Sequence, residues 1–116
     1  MKNLEDYWIC DSATMEDAIA LIQKNNSRCV VVVGIERKVV GVFSEGDVLR
    51  AILAGIDVHT PLRSLLKPSF HYLRTRDLAA ARKLLVSGFS LVPVISDDFH
   101  LQSVLLLEDV IGNGDA

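Results

Sequence analysis

Seven consecutive residues, Gly41-Val42-Phe43-Ser44-Glu45-Gly46-Asp47, combine a hydroxyl and a carboxylate in a pattern suited to holding an anionic ligand. A β-branched and aromatic run ends at Phe43, and a helical pattern begins about one residue after Ser44. Ser44 therefore falls at an N-cap and Asp47 at N3. Two readings stand side by side. The pair can be a capping box alone, satisfying orphan N–H groups of the first turn. Alternatively, the positive end of the helix can receive an anion, with the Ser44 hydroxyl adding a hydrogen bond to phosphate. An aspartate one turn further in can then accept from both hydroxyls of a ribose.

This junction occurs twice. At an offset of 62 residues, without a gap, Cys29-Val30-Val31-Val32-Val33 aligns with Leu91-Val92-Pro93-Val94-Ile95, residues 39–43 with 101–105, and Asp47-Val48 with Asp109-Val110. Two copies are too few for a solenoid, so the repeat reads as a duplicated unit with two equivalent clefts. The second copy departs from the first: Ser103 stands at the place of Gly41 and Leu106 at that of Ser44, while Asp109 is kept. A leucine cannot donate to phosphate. A phosphate contact there must come from elsewhere; Arg74 and Arg76 can supply charge, although they also read as solvated loop cations.

Each copy carries the same elements. Trp8-Ile9-Cys10 reads as a first strand, and Thr14 with Asp17 as a capping box for a helix closed by Asn25-Asn26. The valine run at 30–33 is too short for a helix and reads as a strand buried on both faces. A five-residue connection, 34–38, makes a hairpin with 39–43, and a helix ending at Gly55 follows. Thr60 and Pro61 predict an N-cap and first helical residue of a short connecting helix that ends at Pro68. The second copy is then expected as a strand at 70–73, a helix at about 76–86 ending at Gly88, strands at 91–95 and 101–107, and a final helix at 108–111. Residues 112–116 read as a frayed tail.

Composition narrows the function. With 116 residues, the chain is one compact body or two closely packed halves. Half of its residues are apolar and only 6% aromatic, so the core must be built from Val, Leu, Ile and Ala. This surplus of apolar surface, on the helices after Ser44 and near Ala80, predicts a homodimer. A net charge of −3 disfavours nucleic acid as a partner. Cys10 and Cys29 have no metal or redox spacing, which fits a reduced, cytoplasmic protein with Cys29 buried. His59, His71 and His100 share no metal-ligand spacing, and Asp97-Asp98 reads as a turn. No nucleophile with a supporting base is present, so no enzyme activity is expected. No signal peptide or span of about 18 apolar residues is present, so no membrane partner is expected.

Taken together, these residues resemble a tandem CBS-domain pair, or Bateman module, over about residues 6–113. The resemblance rests on Gly41 to Asp47, on Val92-Pro93-Val94, and on the strand-helix-strand-strand-helix order occurring twice. It implies an α/β fold in which two CBS motifs, 1–60 and 61–116, each roughly β-α-β-β-α, pack about a pseudo-two-fold axis. It also implies clefts that bind adenine nucleotides of the AMP, ADP or ATP type as regulatory ligands, with no obligatory cofactor. In that pattern Ser44 faces phosphate, Asp47 faces ribose, and Val30, Val31 and Val42 flank the base. Asp109, Thr75, Val92 and Pro93 are the second-copy counterparts, in a cleft expected to be degenerate. Residues 42–51 with Gly55, and 104–109, also resemble CBS pairs joined to sugar nucleotidyltransferase domains, which would make the chain a controller of an attached or partner enzyme. The competing expectation is a structural dimerisation module with empty clefts.

Overall fold

The computed structural model describes residues 2–111 and divides the chain into two compact units, Met1–Phe70 and His71–Ala116. Helices and strands interleave in each, as the α/β expectation requires. The tail expected to fray at 112–116 lies outside the described residues.

The first unit contains β1 (Trp8–Cys10), α1 (Met15–Asn25), β2 (Cys29–Val33), β3 (Val39–Ser44) and α2 (Glu45–Leu53). Its sheet has the order β1-β2-β3, with β1 parallel and β3 antiparallel to β2. The valine run takes the central place, and every residue of β2 is buried. The α1 helix starts where expected: the Thr14 hydroxyl accepts from the Asp17 N–H, and the Asp17 carboxylate accepts from the Thr14 N–H. It stops at Asn26, whose φ of 55° is left-handed, a conformation that asparagine tolerates better than most residues. Met15, Ala18 and Ile22 of α1 and Ala51 of α2 pack with Val30, Val32 and Phe43 into one core cluster.

The connecting helix expected from Thr60 and Pro61 is instead a single 3₁₀ turn, Leu62–Ser64, with Pro61 as its cap at φ −64° and ψ 143°. The chain is held extended here by bonds to the segment that leads into α1. The Thr60 carbonyl accepts from Met15 N–H, while Leu62 and Arg63 N–H donate to the Ala13 and Asp11 carbonyls. The Thr60 carbonyl, taken by Met15, is then not available to accept the first bond of a helix.

The second unit contains α3 (Leu78–Val86), β4 (Val92–Ile95), β5 (Leu101–Leu105) and α4 (Leu107–Ile111). Ala81, Leu85, Val92, Val94 and Leu105 form its core cluster. The strand expected at 70–73 is reduced to one parallel bridge between Leu73 and Val94. Proline explains the loss. Leu73 N–H donates to the Pro93 carbonyl and the Leu73 carbonyl accepts from Ile95 N–H, so this edge of β4 faces Leu73. The next bond of a parallel ladder would need an N–H from Pro93, which has none. The α3 helix starts at Leu78, two residues later than expected, because Asp77 caps it by accepting from Ala80 N–H at 3.0 Å.

The 62-residue repeat reaches the finest level of the backbone. Both hairpins slip register at equivalent points, Val32/Val33 and Val94/Ile95. Both close with equivalent bonds: Gly34 N–H to Lys38 and Arg37 N–H to Gly34 in one, Ser96 N–H to His100 and Phe99 N–H to Ser96 in the other. Arg37 and Phe99 both take a positive φ, 60° and 66°.

Candidate functional site

Strand β3 delivers Ser44 to the start of α2, and the expected capping box is present in full. Ser44 N–H donates to Asp47 Oδ2 at 2.9 Å, the Ser44 hydroxyl donates to the same oxygen at 3.0 Å, and Asp47 N–H donates to Ser44 Oγ at 3.2 Å. The other carboxylate oxygen, Oδ1, has different partners. Arg50 Nη2 lies 2.7 Å from it and Lys67 Nζ 3.2 Å. Burial pushes the Asp47 carboxyl up, but the Ser44 N–H, the Arg50 guanidinium, the Ser44 hydroxyl and Lys67 together hold it below the usual carboxylate range. Asp47 is an anchored anion between two cations.

An open hollow of about 220 Å³ adjoins this cluster. Phe43, Ala51, Ala54, Ile56 and Leu65 give it apolar walls, and Asp47, Arg50 and Lys67 line it with charge. Such a site can take a ligand with an apolar body, hydroxyls and a negative group. The first turn of α2 offers less to an anion than its sequence suggests: Glu45 N–H already donates to the Arg28 carbonyl, and Asp47 N–H to Ser44.

The three valines of the first unit separate. Val30 opposes Phe43 and Val31 opposes Val42. Successive residues of a strand point to opposite faces, so Val30 belongs to the core with Phe43, whereas Val31 and Val42 share the other face. A single cleft cannot be lined by the side chains of both Val30 and Val31.

In the second unit, Asp109 keeps the backbone half of the motif: Leu106 N–H donates to its Oδ2 at 2.7 Å. Leu106 itself is buried. Val92 is in the core cluster, and Pro93 is buried beside it in β4. Thr75 is exposed, and its carbonyl accepts from Asp77 N–H. Arg74 is engaged elsewhere, 3.0 Å from Asp97 and stacked over the rings of Tyr72 and Phe99.

Arg50 and Lys67 are absent from the sequence-derived set. Arg50 was within reach of sequence reasoning, because a base three residues after an acid on a helix faces it. Lys67 was not, since only the extended course of the connector brings it to Asp47. Cys29 is buried, which pushes its thiol up to about 12. Among the described residues, no group of three or more His, Cys, Asp and Glu could hold a metal, and no helix is long and apolar enough to cross a membrane.

A family model, that of the CBS domain, matches residues 5–54, within the first unit. The fold of nearly the whole chain is that of solved CBS-pair structures. A CBS domain protein from Pyrobaculum aerophilum complexed with AMP is 23% identical with a TM-score of 0.76, covering 97% of this chain and 88% of that one. The CBS domains of a transcriptional regulator from Streptococcus pneumoniae are 21% identical with a TM-score of 0.77, covering 95% and 91%. The CBS-pair protein CBSX2 from Arabidopsis thaliana is 23% identical with a TM-score of 0.76, covering 96% and 87%. CBSX2 has also been solved in complex with AMP, at 22% identity and a TM-score of 0.74, covering 96% and 89%. No curated protein matches the chain by sequence.

Proposed function

We propose that the chain is a cytoplasmic regulatory module that binds an adenine nucleotide of the AMP, ADP or ATP type and thereby controls an attached or partner protein. The observation that carries this reading is Asp47: a carboxylate kept ionised and oriented by its own helix start, beside a hollow with apolar walls and two cations. Its Oδ1, held only by the Arg50 and Lys67 side chains, suits the ribose diol, the walls suit an apolar ring system, and the cations suit phosphate. Ser44 then acts by fixing Asp47. Two proteins of similar fold have been solved with AMP, which supports the ligand class. CBS-domain proteins are regulatory rather than catalytic as a group, which supports control in place of chemistry. A sugar nucleotidyltransferase domain is the partner suggested by the sequence resemblance. The Asp109 cleft is the weaker of the two, with Leu106 in place of a hydroxyl.

A second reading, a dimerisation scaffold, is favoured by the exposed apolar residues Leu49, Ile52 and Leu53 of α2 and by the mutual satisfaction of Ser44 and Asp47. A thermal-shift panel of AMP, ADP, ATP and adenosine separates the two. A binder at 100 times its Kd adds about 2.7 kcal/mol of stability, which raises the melting temperature by several degrees. No shift at millimolar concentration, together with a dimer by light scattering, would establish the scaffold.

A further inference from the structure

We propose that Arg50 and Lys67 are the phosphate-binding pair of this site, and that they hold Asp47 closed until a nucleotide displaces them. The proposal rests on the nucleotide reading above. The two oxygens of Asp47 are not equivalent. Oδ2 cannot be released without uncapping α2, because it accepts from both the N–H and the hydroxyl of Ser44. Oδ1 is held only by two long side chains, of Arg50 and Lys67, which are 63% and 65% exposed. Exposed ion pairs of this kind are weak and exchange readily. Oδ1 is therefore the oxygen that a ribose diol can take.

Taking it has an electrostatic consequence. Two cations that shared one carboxylate oxygen lose it together and are left close to one another at the rim of the hollow. Their repulsion opposes binding unless the ligand brings its own anion. A phosphate monoester, with a charge near −2, replaces the lost acceptor for both. Adenosine brings nothing. The Ser44 hydroxyl is a poor candidate for the same role, since it already donates to Asp47 and accepts from the Asp47 N–H. Lys67 also ties the site to the chain beyond it. Its neighbour Leu66 lies over Gly41, 3.4 Å from where a Cβ would stand, and Leu65 lines the hollow.

The test is a set of calorimetric titrations of AMP and adenosine on wild type, Arg50→Ala, Lys67→Ala and Lys67→Gln, each first shown by circular dichroism to be folded. We expect AMP affinity to fall about tenfold with each loss of a cation, the loss of one charge-assisted hydrogen bond. Adenosine affinity should hold or rise, because its competitor for Oδ1 is gone. Lys67→Gln, which keeps a polar side chain of most of the length but not the charge, should behave as Lys67→Ala does. Equal weakening of both ligands, or unchanged AMP binding in every variant, would overturn the assignment while leaving the nucleotide reading intact. If wild type binds neither ligand at millimolar concentration, the nucleotide reading falls, and this proposal falls with it.

Discussion

The two strand-to-helix junctions share a backbone and differ in what surrounds it. In both, an N–H at the end of the strand donates to the aspartate three residues on, at 2.9 Å from Ser44 and 2.7 Å from Leu106. The first junction adds a hydroxyl, a nine-residue helix and two cations on the remaining oxygen. The second puts a buried leucine at the capping position and continues into α4, Leu107–Ile111 among the described residues. The aspartate thus has a structural duty in both copies, and its presence alone does not mark a ligand site. The capping residue before it, a hydroxyl in one copy and a buried leucine in the other, makes the distinction. The hairpin tips differ by a similar exchange: Arg37 lies over Trp8 in the first unit, whereas in the second the tip supplies the ring, Phe99, and Arg74 the cation. One interaction survives with its partners traded.

The largest effect expected from this contrast is at Leu106. Leu106→Ala removes a buried side chain and should lower stability by about 2–4 kcal/mol, against about 0.5–2 kcal/mol for Ser44→Ala, a lost cap. Urea unfolding in which Ser44→Ala is the more damaging would mean that Leu106 is not a core residue. Next in size is ligand affinity. Asp47→Ala should cost AMP binding on the order of 1.5–3 kcal/mol, the loss of a hydrogen-bonded carboxylate, and Asp109→Ala distinctly less. Equal losses by calorimetry would erase the ranking of the two junctions. The smallest effect is in acid. Because the folded-state pKa of Asp47 is lowered, its ionised form contributes stability above the unfolded value, near 3.9, that is lost as pH falls through the folded value. The stability gap between wild type and Asp47→Asn should stay constant from pH 7 to about 5 and shrink below about 4. A gap that shrinks near neutral pH would show that the surrounding partners do not stabilise the carboxylate.

Much of the fold was legible because local signals agreed with each other. Thr14 and Asp17, Asn26, and Ser44 and Asp47 mark helix ends with side chains whose bonding needs are short-range, and each sits where the sequence places it. What could not be read depends on partners far along the chain. Residues 70–73 look like a strand until Pro93 is set opposite, and Thr60-Pro61 looks like a helix start until Met15 claims the Thr60 carbonyl. The site followed the same division. Its acid and its cap were plain in seven residues, whereas Lys67 reaches Asp47 only through the path of the connector. The opposed faces of Val30 and Val31 were implicit in the two-residue period of a strand, and the family pattern obscured them.

Pro93 has one more effect, on the behaviour of the chain before it is folded. A two-stranded hairpin emerging during synthesis is an unfinished template, and the outer edge of its first strand invites a strand from another molecule. On β4 that edge carries a proline at its second position, so an incoming strand would meet a missing donor in the middle of a four-residue stretch. The native neighbour, Leu73, needs only the Pro93 carbonyl and the Ile95 N–H and avoids the gap altogether. The residue that shortens the sheet of the second unit thereby guards it against intermolecular β-pairing, accepting its own chain and discouraging others.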